Sequence, residues 1–390
     1  MTEADNKPQN EIENNNLQDF QSGRSINLKK IRKFLFLLIA LIVINVFVWG
    51  TLYTATKSSS NERSITNPSS DSTDSISSSH ESFPFEEMTI PYLRSREYNS
   101  NLSELTQISS NNDYSTYLTS YDSDGLKVNG LLTIPQGDEP AEGFPAIIFV
   151  HGYIPPQNYQ TLVNYQSYVD YLAGNGFVVF KIDLRGHGSS EGEPGGGYYS
   201  GDYIIDTLNA RAALQSSKDP STGSGRFVDP NRIGLWGHSM AGNVVARALA
   251  AQPQIPAIVI WAGAVYTYSD FSEFRIQDSS YQPPSDDSPS RRKRAEMFDL
   301  YGEFDSQSEF WKQVPMTNYL DEIRGAISLN HALDDNVVSI DYSRNLNSIL
   351  NNTSIVHELN EYSSGGHNFT GAAFNQAMQN SVEFFNTHLK

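Results

Sequence analysis

Gly237-His238-Ser239-Met240-Ala241-Gly242 lies between an apolar run at 233–236 and an Ala-rich run of helical spacing at 241–251. A strand that turns straight into a helix leaves room only for small side chains at the turn. Gly237, Ala241 and Gly242 therefore read as a strand-to-helix elbow with Ser239 at its apex. Such an elbow lifts the hydroxyl out of the sheet and offers the next backbone N–H, that of Met240, to a developing oxyanion. As a bare pattern G-x-S-x-small is weak, and a Gly/Ser-rich tight turn would look the same. Its setting between strand and helix is what makes Ser239 a candidate nucleophile.

The rest of the chain supplies the sheet that an elbow needs. Residues 117–121 and 126–134 read as paired strands around Asp124-Gly125, and 146–150, 177–182, 257–261, 326–329 and 355–359 as short strands. Helical spacing falls between or after them at 165–173, 203–214, 241–251, 342–350 and 372–388. Short β-branched runs alternating with amphipathic helices predict an α/β sheet, mostly parallel and covered on both faces. Residues 266–325 break the rhythm with aromatics, prolines and Arg291-Arg292-Lys293-Arg294, and are expected to form a cap insertion at the sheet's C-terminal edge that shapes the acyl pocket, with Phe271, Phe274, Tyr281 and Trp311 as candidate lining.

Toward the N-terminus the composition changes twice. Residues 1–33 are polar and Asn/Gln-rich and end in Lys29, Lys30, Arg32 and Lys33. Residues 34–53 then carry no charge and finish on Trp49 and Tyr53. Twenty such residues make a helix of about 30 Å, the thickness of a bilayer's hydrocarbon core. The basic flank precedes the run, so the positive-inside rule predicts one transmembrane anchor with a cytoplasmic N-terminus and everything after Tyr53 outside. A cleaved signal peptide fits less well, since its apolar region is usually shorter. A buried core helix fits least. Residues 54–112 read as a Ser/Thr/Asn-rich stalk and transitional segment, in which Phe83, Phe85, Met88, Ile90 and Leu93 either pack on the domain or flank it. The folded domain is expected at 113–390.

A serine nucleophile needs a base, and the base needs an acid to orient it. In the hydrolase order of Ser, then acid, then His, five of the eight histidines (His80, His151, His187, His238 and His331) come before any candidate acid. His357 sits within a strand pattern and His388 at the terminus. His367, in the loop Ser363-Ser364-Gly365-Gly366-His367-Asn368-Phe369, is left as the base. After strand 326–329 come Asp334 and Asp335, either of which could be the acid or could cap the next helix. The loop Val150-His151-Gly152-Tyr153 is placed to give the second oxyanion donor, the Tyr153 N–H.

Four motifs together resemble the α/β-hydrolase superfamily, especially the prolyl oligopeptidase catalytic domain and its dienelactone-hydrolase-like relatives. They are Tyr121-Asp-Ser-Asp-Gly-Leu-Lys-Val-Asn-Gly130, His151-Gly152, Asp183-Leu-Arg-Gly-His-Gly-Ser189, and the elbow with its downstream Asp and His. The resemblance covers residues 113–390. It implies an α/β-hydrolase fold and selects Asp335 as the acid, because x-Val-Val follows it. Ser239, Asp335 and His367 would form a triad, with Tyr153 and Met240 as oxyanion donors. Two departures stand out: Ala241 where the peptidases usually have Gly, and an interval at 54–112 too short for a β-propeller.

Composition removes other classes. Forty-five acidic residues against 27 basic give a net charge of −18, which repels phosphate backbones and argues against nucleic acid as a partner. Cysteine is absent, so disulfides, thiolate metal sites and a Cys nucleophile are all ruled out. No phosphate-cradling loop or metal-ligand spacing occurs, and no cofactor is expected. The expected protein is a membrane-anchored serine hydrolase facing away from the cytoplasm. It would form an acyl-enzyme with a small peptide, or alternatively with a carboxylic ester. A catalytically dead hydrolase fold serving as a binding module is the rival.

Overall fold

The computed structural model describes residues 83–218 and 226–389, and the expected anchor at 34–53 and most of the stalk lie outside them. Among the described residues no helix is long and apolar enough to cross a membrane. In chain order the elements are α1 (Ile90–Ser95), β1 (Thr106–Ser110), β2 (Tyr114–Ser123), β3 (Leu126–Pro135), β4 (Phe144–Val150), α2 (Gln166–Gly174), β5 (Val178–Ile182) and α3 (Asp202–Gln215). They continue with β6 (Val228–His238), α4 (Met240–Ala251), β7 (Ala257–Trp261), α5 (Asp270–Glu273), α6 (Pro289–Tyr301), β8 (Ala326–Ala332), α7 (Asp341–Leu350), β9 (His357–Tyr362) and α8 (Gly371–His388).

These strands form one sheet in the order β1-β2-β3-β5-β4-β6-β7-β8-β9. The first three run antiparallel, β2 and β3 pairing in full register around Asp124-Gly125. From β5 to β9 every pairing is parallel. Strands β5, β7 and β8 are buried along their whole length, as strands covered on both faces must be. One apolar cluster holds α1, α3 and α4 against one face, and a second packs α2 and α8 on the other. Parallel registry brings Val150 level with Ile182 and Gly237, and His238 level with Trp261. The C-terminal ends of β4, β6 and β8 thus open on one edge of the sheet, where ligands bind in folds of this kind.

The packed unit begins earlier than Asp113. Thr89 caps α1 by accepting the Tyr92 N–H at 3.3 Å, Pro91 sits in its first turn, and Ile90 and Leu93 are completely buried against α4. Arg247 of α4 donates to the Met88 carbonyl, fastening the segment from the other side. Short spacing hides this in the sequence: with six residues, α1 has too few turns for a helical period to show. The insertion lies between β7 and β8, and within it the basic run Arg291 to Arg294 is part of α6, with Arg294 stacked 4.1 Å over Tyr199.

Candidate active site

Ser239 stands between β6 and α4 with φ 56° and ψ −120°, a left-handed conformation that a non-glycine residue adopts only under strain. Its N–H donates to the Trp261 carbonyl at 2.9 Å and its carbonyl accepts from Gly242 at 2.8 Å, which locks the elbow. A Cβ on Gly237 would come within 2.6 Å of the Ala241 carbonyl oxygen, and one on Gly242 within 2.8 Å of Gly263 Cα. The tight approaches therefore fall on Gly237 and Gly242. Ala241 is fully buried with its methyl accommodated, which explains why the fifth position need not be glycine.

Of the two candidate acids, Asp335 is the one that meets His367. Its Oδ2 lies 2.8 Å from His367 Nδ1, while its Oδ1 accepts the N–H groups of Val337 at 2.8 Å and Val338 at 3.0 Å. Burial alone would raise the carboxyl's pKa, but hydrogen bonds from His331 and His367, the charge of His367 and the Val338 amide outweigh it and hold the group well below the usual carboxylate range. Asp334 points elsewhere. Its Oδ1 accepts the Gly366 N–H at 2.8 Å, so it ties down the loop that carries the base.

That loop is held at three further points. Tyr168 Oη donates to the Asn368 carbonyl at 2.6 Å, Thr370 N–H to Gly365 at 3.0 Å, and Phe369 packs 4.6 Å from Trp261. The His367 ring lies 4.7 Å from that of His238, the residue before Ser239, and its Nδ1 is taken by Asp335. Nε2 is the nitrogen left to exchange a proton. Ser239 Oγ makes no hydrogen bond among the described residues; catalytic hydrogen bonds often tighten only around a substrate.

His238, set aside in the sequence, connects the site's loops. Its Nδ1 is 2.7 Å from Tyr165 Oη, which also accepts the Gly152 N–H at 3.1 Å, and its Nε2 is 2.9 Å from the His367 carbonyl. A carbonyl can only accept, so Nε2 carries the hydrogen and Nδ1 accepts from the phenol. Burial first, then the neighbouring His367, lowers its pKa to about 3 and keeps it neutral. His151 is likewise buried and lowered to about 3, first by burial and then by His187; of the Gly152 and Asp183 carbonyls beside its nitrogens, at 2.7 and 3.2 Å, the neutral ring donates to only one, and its place under the loop is structural. A Cβ on Gly152 would press to 2.9 Å from Tyr165 Oη and 3.0 Å from His238 Nδ1, so glycine is required there. Among the described residues the Tyr153 and Met240 amides have no protein acceptor, leaving both expected oxyanion donors available.

The insertion reaches across this opening. Gln277 N–H donates to Val337 at 2.7 Å and Ile276 bridges Val338, just past the acid; five residues on, Gln282 N–H donates to Tyr153 Oη at 3.0 Å. Of the residues expected to line the site, Tyr281 sits 5.3 Å from Tyr153, Phe271 stacks on Tyr199, and Phe274 meets Tyr342. Trp311 does not belong with them: it is fully buried among Tyr268, Phe304 and Phe310, in the apolar cluster that also holds α1, α3 and α4. A cavity of about 640 Å³ beside it, bounded by Thr267, Phe304, Lys312 and Thr317, has no Ser239, Asp335 or His367 in its wall.

Known proteins share this fold. The family model described as serine aminopeptidase, S33, matches residues 143–277. Among solved structures, acetyl xylan esterase 1 from Thermoanaerobacterium sp. JW/SL YS485 is 18% identical over 76% of this chain and 90% of the esterase, with TM-score 0.50. A Mycobacterium tuberculosis puromycin-hydrolyzing peptidase is 18% identical over 72% of this chain and 40% of its own, with TM-score 0.53. Dipeptidyl peptidase 4 of Porphyromonas gingivalis is 19% identical over 76% of this chain and 37% of its own, with TM-score 0.50.

Proposed function

We propose that this chain, a serine hydrolase of the α/β-hydrolase fold, cleaves small peptides or peptide-like amides through an acyl-enzyme on Ser239. The observation that carries the mechanism is the 2.8 Å bond from Asp335 to His367 Nδ1, next to a serine held at a strained elbow. Ser239 Oγ attacks the carbonyl carbon as His367 Nε2 takes its proton. The carbonyl's electron pair moves onto oxygen and is met by the Tyr153 and Met240 N–H groups, each worth about 2.7–4 kcal/mol by the measure of single-donor deletions elsewhere. Collapse of the intermediate expels the amine, which leaves with the proton from His367. Water, deprotonated by the same imidazole, then releases the acid and restores Ser239. Asp335 holds the tautomer and stabilises the imidazolium without taking a proton. These side chains and water account for every bond and proton.

The serine aminopeptidase match supports the amide reading. Carboxylic-ester hydrolysis is favoured by a different observation, the esterase neighbour that this chain spans over 90% of its length. Rates on matched aminoacyl-p-nitroanilides and p-nitrophenyl esters decide between them: anilide turnover within about a hundredfold of the ester supports the peptidase, and ester turnover alone supports the esterase. Failure of a fluorophosphonate to label Ser239 in folded protein would overturn both and leave a binding module.

The uncharged run 34–53 behind its basic flank supports a further part of the reading, a single-pass anchor with the hydrolase outside the cytoplasm. Protease added to intact cells should release an active soluble fragment. Protection of the hydrolase together with a cytoplasmic marker would reverse the orientation.

A further inference from the structure

Asp335 Oδ2 faces a second histidine. His331, at the end of β8 and completely buried, has its Nε2 3.2 Å from that oxygen and 3.1 Å from the Val338 carbonyl, while its Nδ1 lies 2.8 Å from Ser343 Oγ on α7. The Val338 carbonyl can only accept, so Nε2 bears the hydrogen and forks it between Val338 and Asp335. Nδ1 then accepts from the Ser343 hydroxyl, which fixes that tautomer. With His367, Val337 and Val338, His331 completes four donors around one carboxylate. Nothing in the acyl-transfer steps uses it.

We propose that His331, oriented by Ser343, is a positioning residue that draws charge from Asp335 Oδ2 and so sets how strongly the carboxylate stabilises the His367 imidazolium. This rests on Asp335 and His367 being acid and base. Because Val337 and Val338 hold Oδ1 independently, losing His331 leaves the carboxylate in place but concentrates its charge on the oxygen that faces His367. The imidazolium is then favoured, and the pKa of His367 rises.

The other groups around the pair are accounted for. Asp334 is engaged by the Gly366 amide, Glu361 of β9 is paired with Arg344 of α7 at 2.8 Å, and His238 of β6 is held neutral by burial. Asp341 of α7 accepts from Ser339.

The test compares the full chain with His331→Leu, His331→Gln and Ser343→Ala. His367 is titrated by nitrogen-15 NMR, and kcat and KM are followed against pH. In His331→Leu the His367 titration and the acid limb should move up by about 0.5 to 1 pH unit, and plateau kcat should rise about two- to threefold with KM held, because a better-stabilised imidazolium lowers the barrier to attack. Gln places an N–H where Nε2 was, so His331→Gln should restore both the titration and kcat. Ser343→Ala should shift the titration in the same direction by a smaller amount. A folded His331→Leu that titrates as wild type, or a His331→Gln no better than Leu in either readout, overturns the proposal. Should His331→Leu not fold, an unmoved titration in Ser343→Ala overturns it alone. If the NMR shift appears while no protein, wild type included, turns over substrate, the acyl-enzyme reading fails and the positioning role stands.

Discussion

At Asp334 and Asp335 two neighbouring carboxylates have been given different work. The turn at Leu333-Asp334, closed by the Asp335 N–H on the Ala332 carbonyl at 3.3 Å, aims the two side chains apart, so that one meets His367 while the other meets the backbone of the loop that carries it. Asp335→Asn keeps the shape but places an amide opposite His367 Nδ1, which favours the wrong tautomer; kcat should fall by about 10⁴. Asp334→Asn still presents an oxygen to Gly366 N–H and should cost less than about tenfold, whereas Asp334→Ala frees that amide and should cost more than Asn does. Saturation kinetics on all three, with folding checked by circular dichroism, read the order. A crippled Asp334→Asn beside a healthy Asp335→Asn would reverse the assignment. The residues themselves left both aspartates open, and only the following x-Val-Val favoured Asp335; the structure shows why that pair matters, since the two valine amides bind Oδ1. His238, Tyr165 and His331 carried no such signal. Their roles come from approaches between loops distant in sequence, and elimination by chain order discarded both histidines for a reason that applies only to the base.

Among the elements, the strands and helices that bury a regular face were legible, and those that do not were hidden. The runs at 257–261 and 326–329 became β7 and β8, the latter three residues longer, because a short run with no charged residue has one good place in a covered sheet. Trp311 was misplaced because an aromatic in an insertion looks the same whether it lines a site or packs into the core. The strap at 275–282 was also invisible, since backbone atoms, the Tyr153 phenol and the amide of Gln157 on that of Gln282 make its ties. Tyr153→Phe tests it cleanly: the oxyanion N–H stays and only the phenol's bonds to Gln282 are lost. Fluorophosphonate labelling and turnover of a small acetyl ester should stay within about threefold, while KM for bulkier substrates shifts more than fivefold. Equal losses on every substrate would make the strap part of the catalytic scaffold. Leu93→Ala on α1 should cost about 2–5 kcal/mol of unfolding free energy, as for a core leucine; a cost under 1 kcal/mol, by urea unfolding, would return residues 83–112 to the stalk.

For the molecule as a whole, the α/β alternation was readable from β2 onward, yet one consequence of its burial becomes visible only in three dimensions. His151 and His238 lie completely inside the fold, each lowered to about 3 chiefly by burial, against an ordinary value near 6.5. As pH falls below 6.5 the unfolded chain takes up protons on both rings and the native protein does not. The unfolded state therefore binds more protons, and stability rises with pH through this window, so it drains away from about 6.5 down toward 3. Each imidazole contributes a slope of about 1.4 kcal/mol per pH unit once its unfolded form is fully charged. Asp183 and Asp206, raised by burial, act in the opposite sense and blur the total. A difference measurement cancels them. Urea unfolding of the wild type and of His238→Gln, followed from pH 7 to 4, should give a shallower dependence for the variant by about one proton between pH 5.5 and 4, whatever its stability at pH 7. Parallel curves would mean that His238 takes its proton in the native state, and the neutral link from Gly152 through Tyr165 to His367 would have to be redrawn.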